Sequence, residues 1–204
     1  TGAITLNDAT GALSGTVADI KAALAGNITE HTGTITISDN ATTDVTATDI
    51  TTINTASTGT ITVSNAIDIN GSGSEVAAAF TAIDTNTGNA TANITGNDYT
   101  AAQLKTINDA TTGAIVLANA GVNLSGTSSV LAAAFDGTVT EHTGTVTITN
   151  DDYTATQLKT INAATTGAIT LNDATGALSG TVADIKAALA GNITEHTGTI
   201  TISD

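Results

Sequence analysis

GTVTITNDDYTATQLKTINAATTG, residues 144–167, holds one structural unit from end to end. From Gly144 to Asn150, Val146 and Ile148 alternate with Thr145 and Thr147, and a period of two sets the aliphatic pair on one buried face of a strand. Asn150, Asp151 and Asp152 then supply turn chemistry, because short polar side chains bond their own backbone and tolerate a left-handed turn. Thr154-x-x-Gln157 is a capping box, and Leu158 and Ile161, three apart, give a short helix one apolar stripe. The stretch ends at Gly167, where the strand phrase begins again.

The phrase Gly-x-φ-x-φ-x-(Asp/Asn), with φ aliphatic, recurs along the whole chain. Units start at about residues 2, 33, 59, 90, 113, 144, 167 and 198, the copy at Ala90 (ATANITG) being degenerate and placed by matching 97–108 to 151–162. Long and short units alternate, and residues 166–204 repeat residues 1–39 letter for letter. The expected organisation is one continuous array over 1–204, itself one period and a fraction of a longer array with no natural end at either terminus.

Each phrase assigns an inward pair: Ile4/Leu6, Ile35/Ile37, Ile61/Val63, Ala92/Ile94, Ile115/Leu117, Val146/Ile148, Ile169/Leu171 and Ile200/Ile202. Threonines dominate the outward positions, and Asp8, Asp39, Asn65, Gly96, Asn119, Asn150, Asp173 and Asp204 follow as turn residues. Short units read as capped helices after Thr154, Thr100 and, more loosely, Thr46 with Asp49. Long units read as helices over 16–25, 74–80 and 128–135, preceded by a small apolar phrase (GALSG, IDING or VNLSG) that forms a second short strand or a bend. Strand, helix, strand in one sense implies parallel pairing with right-handed crossovers. The predicted fold is therefore an α/β repeat protein, a right-handed solenoid of strand–helix units with parallel β-sheet; an all-β solenoid is the alternative.

Composition narrows the function classes. The chain has no Cys, Met, Pro or Trp, two Tyr, two Phe and roughly one Thr in five, with a net charge of -15. That charge repels nucleic acid and anionic lipid, no apolar run is long enough to span a membrane, and without Cys there are neither disulfides nor thiolate metal sites. Enough Ala, Ile, Leu and Val remain for a thin aliphatic core spread along the chain.

Residues 144–167, with their relatives at 90–113 and 33–59, resemble the Thr/Ala/Asn/Asp-rich strand repeats of very large secreted bacterial surface proteins, marine cyanobacterial ones included. Those proteins build fibres, surface layers and adhesin stalks. The resemblance covers essentially the whole chain and implies an extracellular or cell-surface structural role, with no catalytic residue to carry over. The expected partner is the chain itself, end to end, in tandem or in lateral bundles, with neither nucleic acid nor membrane insertion.

Two groups of residues could carry chemistry. His31, His142 and His196 each sit in Thr-Glu-His-Thr-Gly, and because neighbours in an extended segment face opposite ways, each Glu-His pair is expected to be a surface turn and no catalytic or cofactor site. Asp39, Asp44, Asp98, Asp151, Asp152 and Asp173 place hard oxygen ligands at strand ends, where stacking would make a ladder of like charge that calcium could relieve. Neither the EF-hand pattern nor the Gly-rich calcium nonapeptide is present, so solvated turn carboxylates are the first reading and calcium the second. Gly71-Ser72-Gly73 lacks the rest of a phosphate loop and reads as a loop with a capping box, and the Asn-x-Ser/Thr triplets are what an Asn- and Thr-rich chain produces by chance. The expected function is a stiff, non-enzymatic spacer or scaffold; the alternative is an ice-binding or calcium-dependent adhesin stalk.

Overall fold

The computed structural model describes residues 2–203. The first three units contribute β1 (Leu13–Gly15), α1 (Val17–Leu24), β2 (Ile35–Ile37), β3 (Asp44–Thr46), α2 (Ala47–Ala56), β4 (Ile61–Val63), β5 (Asp68–Gly71), α3 (Gly73–Ala82) and β6 (Thr85–Asn86). Next come β7 (Thr91–Ile94), α4 (Ala101–Ala110), β8 (Ile115–Leu117), β9 (Leu124–Gly126) and α5 (Ser128–Phe135). The last part holds β10 (Val146–Ile148), α6 (Ala155–Ala164), β11 (Ile169–Leu171), β12 (Leu178–Gly180), α7 (Val182–Ala188) and β13 (Ile200–Ile202). Among the described residues the molecule is α/β, with seven helices and small, wholly parallel sheets, so the all-β alternative does not hold.

Every unit that starts from residue 2 to residue 167 supplies one helix, and each helix packs against the next, from α1 on α2 through to α6 on α7. The strands follow a subtler rule. A short-unit phrase does hydrogen-bond to the long-unit phrase after it, as Ile35 beside Ile61, Ala92 beside Ile115 and Val146 beside Ile169. A long-unit phrase is not followed in its ladder by the next short-unit phrase. That phrase stacks instead on the small apolar segment just ahead of the long helix: β2 on β1, β7 on β5, β10 on β9 and β13 on β12. The extra residues of a long unit are thus a second strand, which opens a ladder at β1, β9 and β12, whereas β5 joins a ladder already opened by β3 of the preceding short unit.

Spacing explains why a ladder must be reopened. Hydrogen-bonded strands lie about 4.7–4.9 Å apart, whereas packed helices need about 8–10 Å. One strand per ladder for each helix cannot keep step with the helix row for long. Among the described residues no sheet exceeds four strands, and the order β1-β2-β4-β6 gives way to β3-β5-β7-β8, then β9-β10-β11, then β12-β13.

The core lies between strands and helices, as the alternation requires. Ile35, Ile37, Ile61, Val63, Ala92, Ile94, Ile115, Leu117, Val146, Ile148, Ile169 and Leu171 are buried, and so are the helix stripes Ile50/Ile53, Leu104/Ile107 and Leu158/Ile161. Ile4, Ile200 and Ile202, expected inside by the same pattern, are exposed because they lie at the two ends of the stack. Capping boxes form at Thr100/Gln103, Thr154/Gln157 and Ser72/Glu75. Thr46 makes no cap bond, and Asp49 pairs with Lys21 of the preceding helix at 2.6 Å. The turn assigned to Asp204 lies outside the described residues.

From residue 33 onward, a Gly that opens a phrase marks a point of close backbone approach, closest at Gly59 and Gly167. A Cβ on Gly59 would lie 1.7 Å from the Gly33 carbonyl oxygen, and one on Gly167 1.8 Å from that of Gly144. Consecutive turns of the chain touch backbone to backbone there, which no side chain permits.

Candidate functional site

The histidines depart furthest from expectation, for His31 and His142 are buried and not on a surface turn. Their rings clasp three successive passes of the chain. His31 Nε2 lies 2.8 Å from the Gly11 carbonyl oxygen, behind it in sequence, and Nδ1 lies 3.0 Å from Ser57 Oγ, ahead of it. His142 repeats the arrangement, with Nε2 2.7 Å from the Val122 carbonyl and Nδ1 3.2 Å from Thr165 Oγ1. A carbonyl can only accept, so Nε2 carries the proton and Nδ1 is left to accept. The hydroxyls also serve the backbone: Ser57 donates to the His31 carbonyl at 2.8 Å and accepts from Gly59 N–H at 3.1 Å, and Thr165 does the same for His142 and Gly167.

Serine against imidazole at this distance is half of a nucleophilic pair. Here the hydroxyl proton is shared with a backbone carbonyl, and the nitrogen that an orienting carboxylate would hold is bound to a carbonyl. Ser57 and His31 are both buried, and Thr165 with His142 forms the same clasp. The arrangement can hold adjacent turns in register and offers no approach to a substrate. Glu30 and Glu141 face outward, as extended backbone requires. Burial pulls the His142 imidazole below its ordinary pKa, with the bond to the Val122 carbonyl opposing. Phe135 packs beside that ring, centroids 5.4 Å apart.

At the degenerate unit Asn86 stands two residues before Gly88, as His31 stands before Gly33. Its bonds run forward only, accepting from Ala90 N–H, four residues on, at 3.0 Å and donating to the Ala110 carbonyl at 3.3 Å. Thr111 keeps the hydroxyl role, donating to the Ala90 carbonyl at 2.7 Å and accepting from Gly113 N–H at 3.0 Å.

Two further devices tie one turn to the next. Tyr99 and Tyr153 are buried and donate to the carbonyls of Asn119 and Asp173, each at 2.7 Å. Burial raises the pKa of both phenols, and the Asp173 charge adds to this at Tyr153. The Asn of QLKTIN closes the following helix: Asn162 Nδ2 donates to the carbonyls of Ala187 and Ala190 at 2.9 and 2.6 Å, and Asn108 likewise serves Ala133 and Asp136. No local pattern exposes these contacts, since each joins residues 20 or more positions apart.

The acidic residues are used one at a time. Asp39 is buried, accepting from Val17 N–H at 2.7 Å through Oδ2. Asp44 lies beside Asp68 in register and accepts from Asn70 Nδ2 at 3.0 Å, so the expected ladder of like charge shrinks to this one pair of strands. Asp98, Asp151 and Asp152 are exposed, and Asp152 accepts from Asn150. Asp173 binds Thr175 through both N–H and hydroxyl, at 2.8 and 2.6 Å, which lowers its pKa. Among the described residues no three His, Asp or Glu side chains gather as a metal would need.

The outward hydroxyls make short files: Ser14, Thr36, Thr62 and Thr85 on one sheet, and Ser125, Thr147 and Thr170 on another. On the sheet between them the corresponding file reads Thr46, Asn70, Asn93 and Val116. No helix among the described residues is long and apolar enough to cross a membrane. Compared with protein-family models, with curated proteins and with solved structures, the chain matches none.

Proposed function

We propose that this chain is a structural, non-catalytic segment of an extracellular filament, surface fibre or surface-layer-like assembly, acting as a stiff spacer. In this reading the units continue as a right-handed solenoid over residues 1–204, each covering the apolar edge of the one before. One observation carries it: every described helix packs on its neighbour, and the links that cross between turns, from the histidine clasps to the tyrosine and asparagine bonds, are consumed within the stack. Side chains of the usual catalytic kinds are thereby spent on register. The acidic surface keeps neighbouring rods from adhering, and the absence of Cys and Met suits an oxidising exterior.

The broken hydroxyl files and the singly used carboxylates favour scaffolding over an ice-binding or calcium-dependent stalk. Immunogold labelling of intact source cells with antibody to this segment tests the assignment. Label along fibres outside the cell is the expected result; label that appears only after the cells are permeabilised would refute it.

A further inference from the structure

The end of α5 differs from its copies in charge. α1 carries Lys21 in its last turn and ends at Ala25, whereas α5 has Ala132 and Asp136 at the matching positions. This helix end thus loses a positive charge and gains a negative one. At the third copy of the position, Ala190, the residue is Ala again. A carboxylate at a helix C-terminus faces the negative end of the backbone dipole, where a cation is the favoured neighbour. Asp136 is exposed, and among the described residues no lysine pairs with it or with Glu141 further along the same loop.

Both carboxylates border hollows. A cleft of about 410 Å³ lies between the end of α5 and the C-terminal half of α6, lined by Phe135, Val139, Ala163 and Ala164 with the charged Glu141 and Lys159. Lys159 is bound to Asp184 at 2.8 Å, which leaves Glu141 to set the charge of the cleft. A second cavity, of about 240 Å³, is polar, lined by Asn108, Thr111, Thr112, Asp136 and Thr138. Gly137 borders the two, so no side chain stands between them. Both lie within the stack, where α4 packs on α5 and α6 on α7. Between α1 and α2 the matching place is divided into a cavity of about 70 Å³, which Lys21 and Ala25 help to line, and a depression lined by α2 alone. The wider cleft and the added carboxylate therefore occur in the same unit.

We propose that the two hollows form one binding site for a linear aliphatic polyamine. One ammonium group sits by Asp136 among the Asn and Thr side chains, and a second reaches Glu141. The methylenes between them cross Gly137 and cover Phe135, Val139 and the two alanines. Bends at 136–138 keep the carboxylates closer than the roughly 17 Å that five fully extended residues would span. Two carboxylates separated by apolar surface suit an extended organic cation better than a metal ion, which gathers oxygens around a point. The net charge of -15 draws such cations to the molecule. The site goes beyond the spacer reading and needs only α4, α5 and α6 packed as they are.

Calorimetric titration of the full chain with spermidine, in about 0.15 M salt to screen loose attraction to surface charge, tests the site. One saturable site per chain is expected. Ala163→Leu fills the cleft at an exposed position without changing charge, and Asp136→Ala installs the residue of the copies; each is expected to weaken binding about tenfold or more. Asp151→Asn removes an exposed carboxylate elsewhere and is expected to leave binding unchanged. Melts without ligand control for folding: Asp136→Ala should melt no lower than the native chain, yet gain nothing from spermidine. Absence of saturable binding, full binding by Ala163→Leu, or an equal loss in Asp151→Asn would overturn the proposal. Displacement of spermidine by magnesium at matched charge would reduce the site to one for any cation, and displacement by 1-hexanol at matched concentration to an apolar groove; either result also rejects a polyamine site.

Discussion

At the scale of single residues, two positions set the register of the stack. Gly59 and Gly167 sit where one carbonyl presses on the next turn, so the recurring Gly of each phrase was visible in the sequence, but its reason was not. It had read as the start of a strand, whereas contact with a residue more than 20 positions back forbids a side chain. Gly167→Ala is expected to lower stability by about 1–3 kcal/mol, the usual cost of overpacking, read from denaturant midpoints. The histidines teach the converse. That each Glu and His face opposite ways was legible, but the pair had read as a surface turn and the burial of His31 and His142 was not, because Ser57 and Thr165 lie on another turn. His142 has its pKa lowered by burial, so the unfolded chain takes up this proton first as pH falls. Its contribution is complete above the ordinary value of 6.5 and is lost as pH falls from there toward the folded value. Thermal melts between pH 7.5 and 5 should show a declining midpoint, and His142→Asn, which borrows the residue found at Asn86, should flatten that decline. An unchanged slope in the variant would assign the acid sensitivity elsewhere.

At the scale of elements, helix starts were the most legible feature, because a cap is local: Thr or Ser, then Gln or Glu three residues on. Thr154 and Thr100 make the bonds their sequences specify. The loose version at Thr46 makes no cap bond, and the ion pair with Lys21 holds the Asp49 carboxyl below its usual pKa. Thr154→Ala should therefore cost about 0.5–2 kcal/mol, while Thr46→Ala should stay within about 0.5 kcal/mol of the native chain. Equal losses would mean that the difference in capping has no energetic content. Ladder membership was harder to read. Alternation says that Ile35 and Ile61 point inward, but whether the next short phrase stacks on Ile61 or on Ile69 depends on the spacing conflict between strands and helices, which no single segment records.

At the scale of the whole molecule, repetition makes one arrangement serve many times, and the identical ends show how exposure follows position in the stack more than sequence. The acidic side chains are distributed as single caps and turn ligands, so removing divalent ions should leave the melting midpoint unchanged. A fall of several degrees on adding EDTA, restored by calcium, would return the carboxylates to a metal role. The four lysines join few of these charges, and the two pairs between helices, Lys21–Asp49 and Lys159–Asp184, are partly exposed and worth at most about 1 kcal/mol each. In the proposed spacer, stiffness would therefore come from the apolar seam and the polar links across turns.

The central claim is that length grows by stacking at constant width. Small-angle X-ray scattering from this chain and from one lengthened by a further 165-residue period, the offset between the two identical segments, tests it directly. The account predicts an unchanged cross-sectional radius and a maximum dimension that rises in proportion to the number of helices. A cross-section that swells with added sequence, as a compact globule's would, would contradict it.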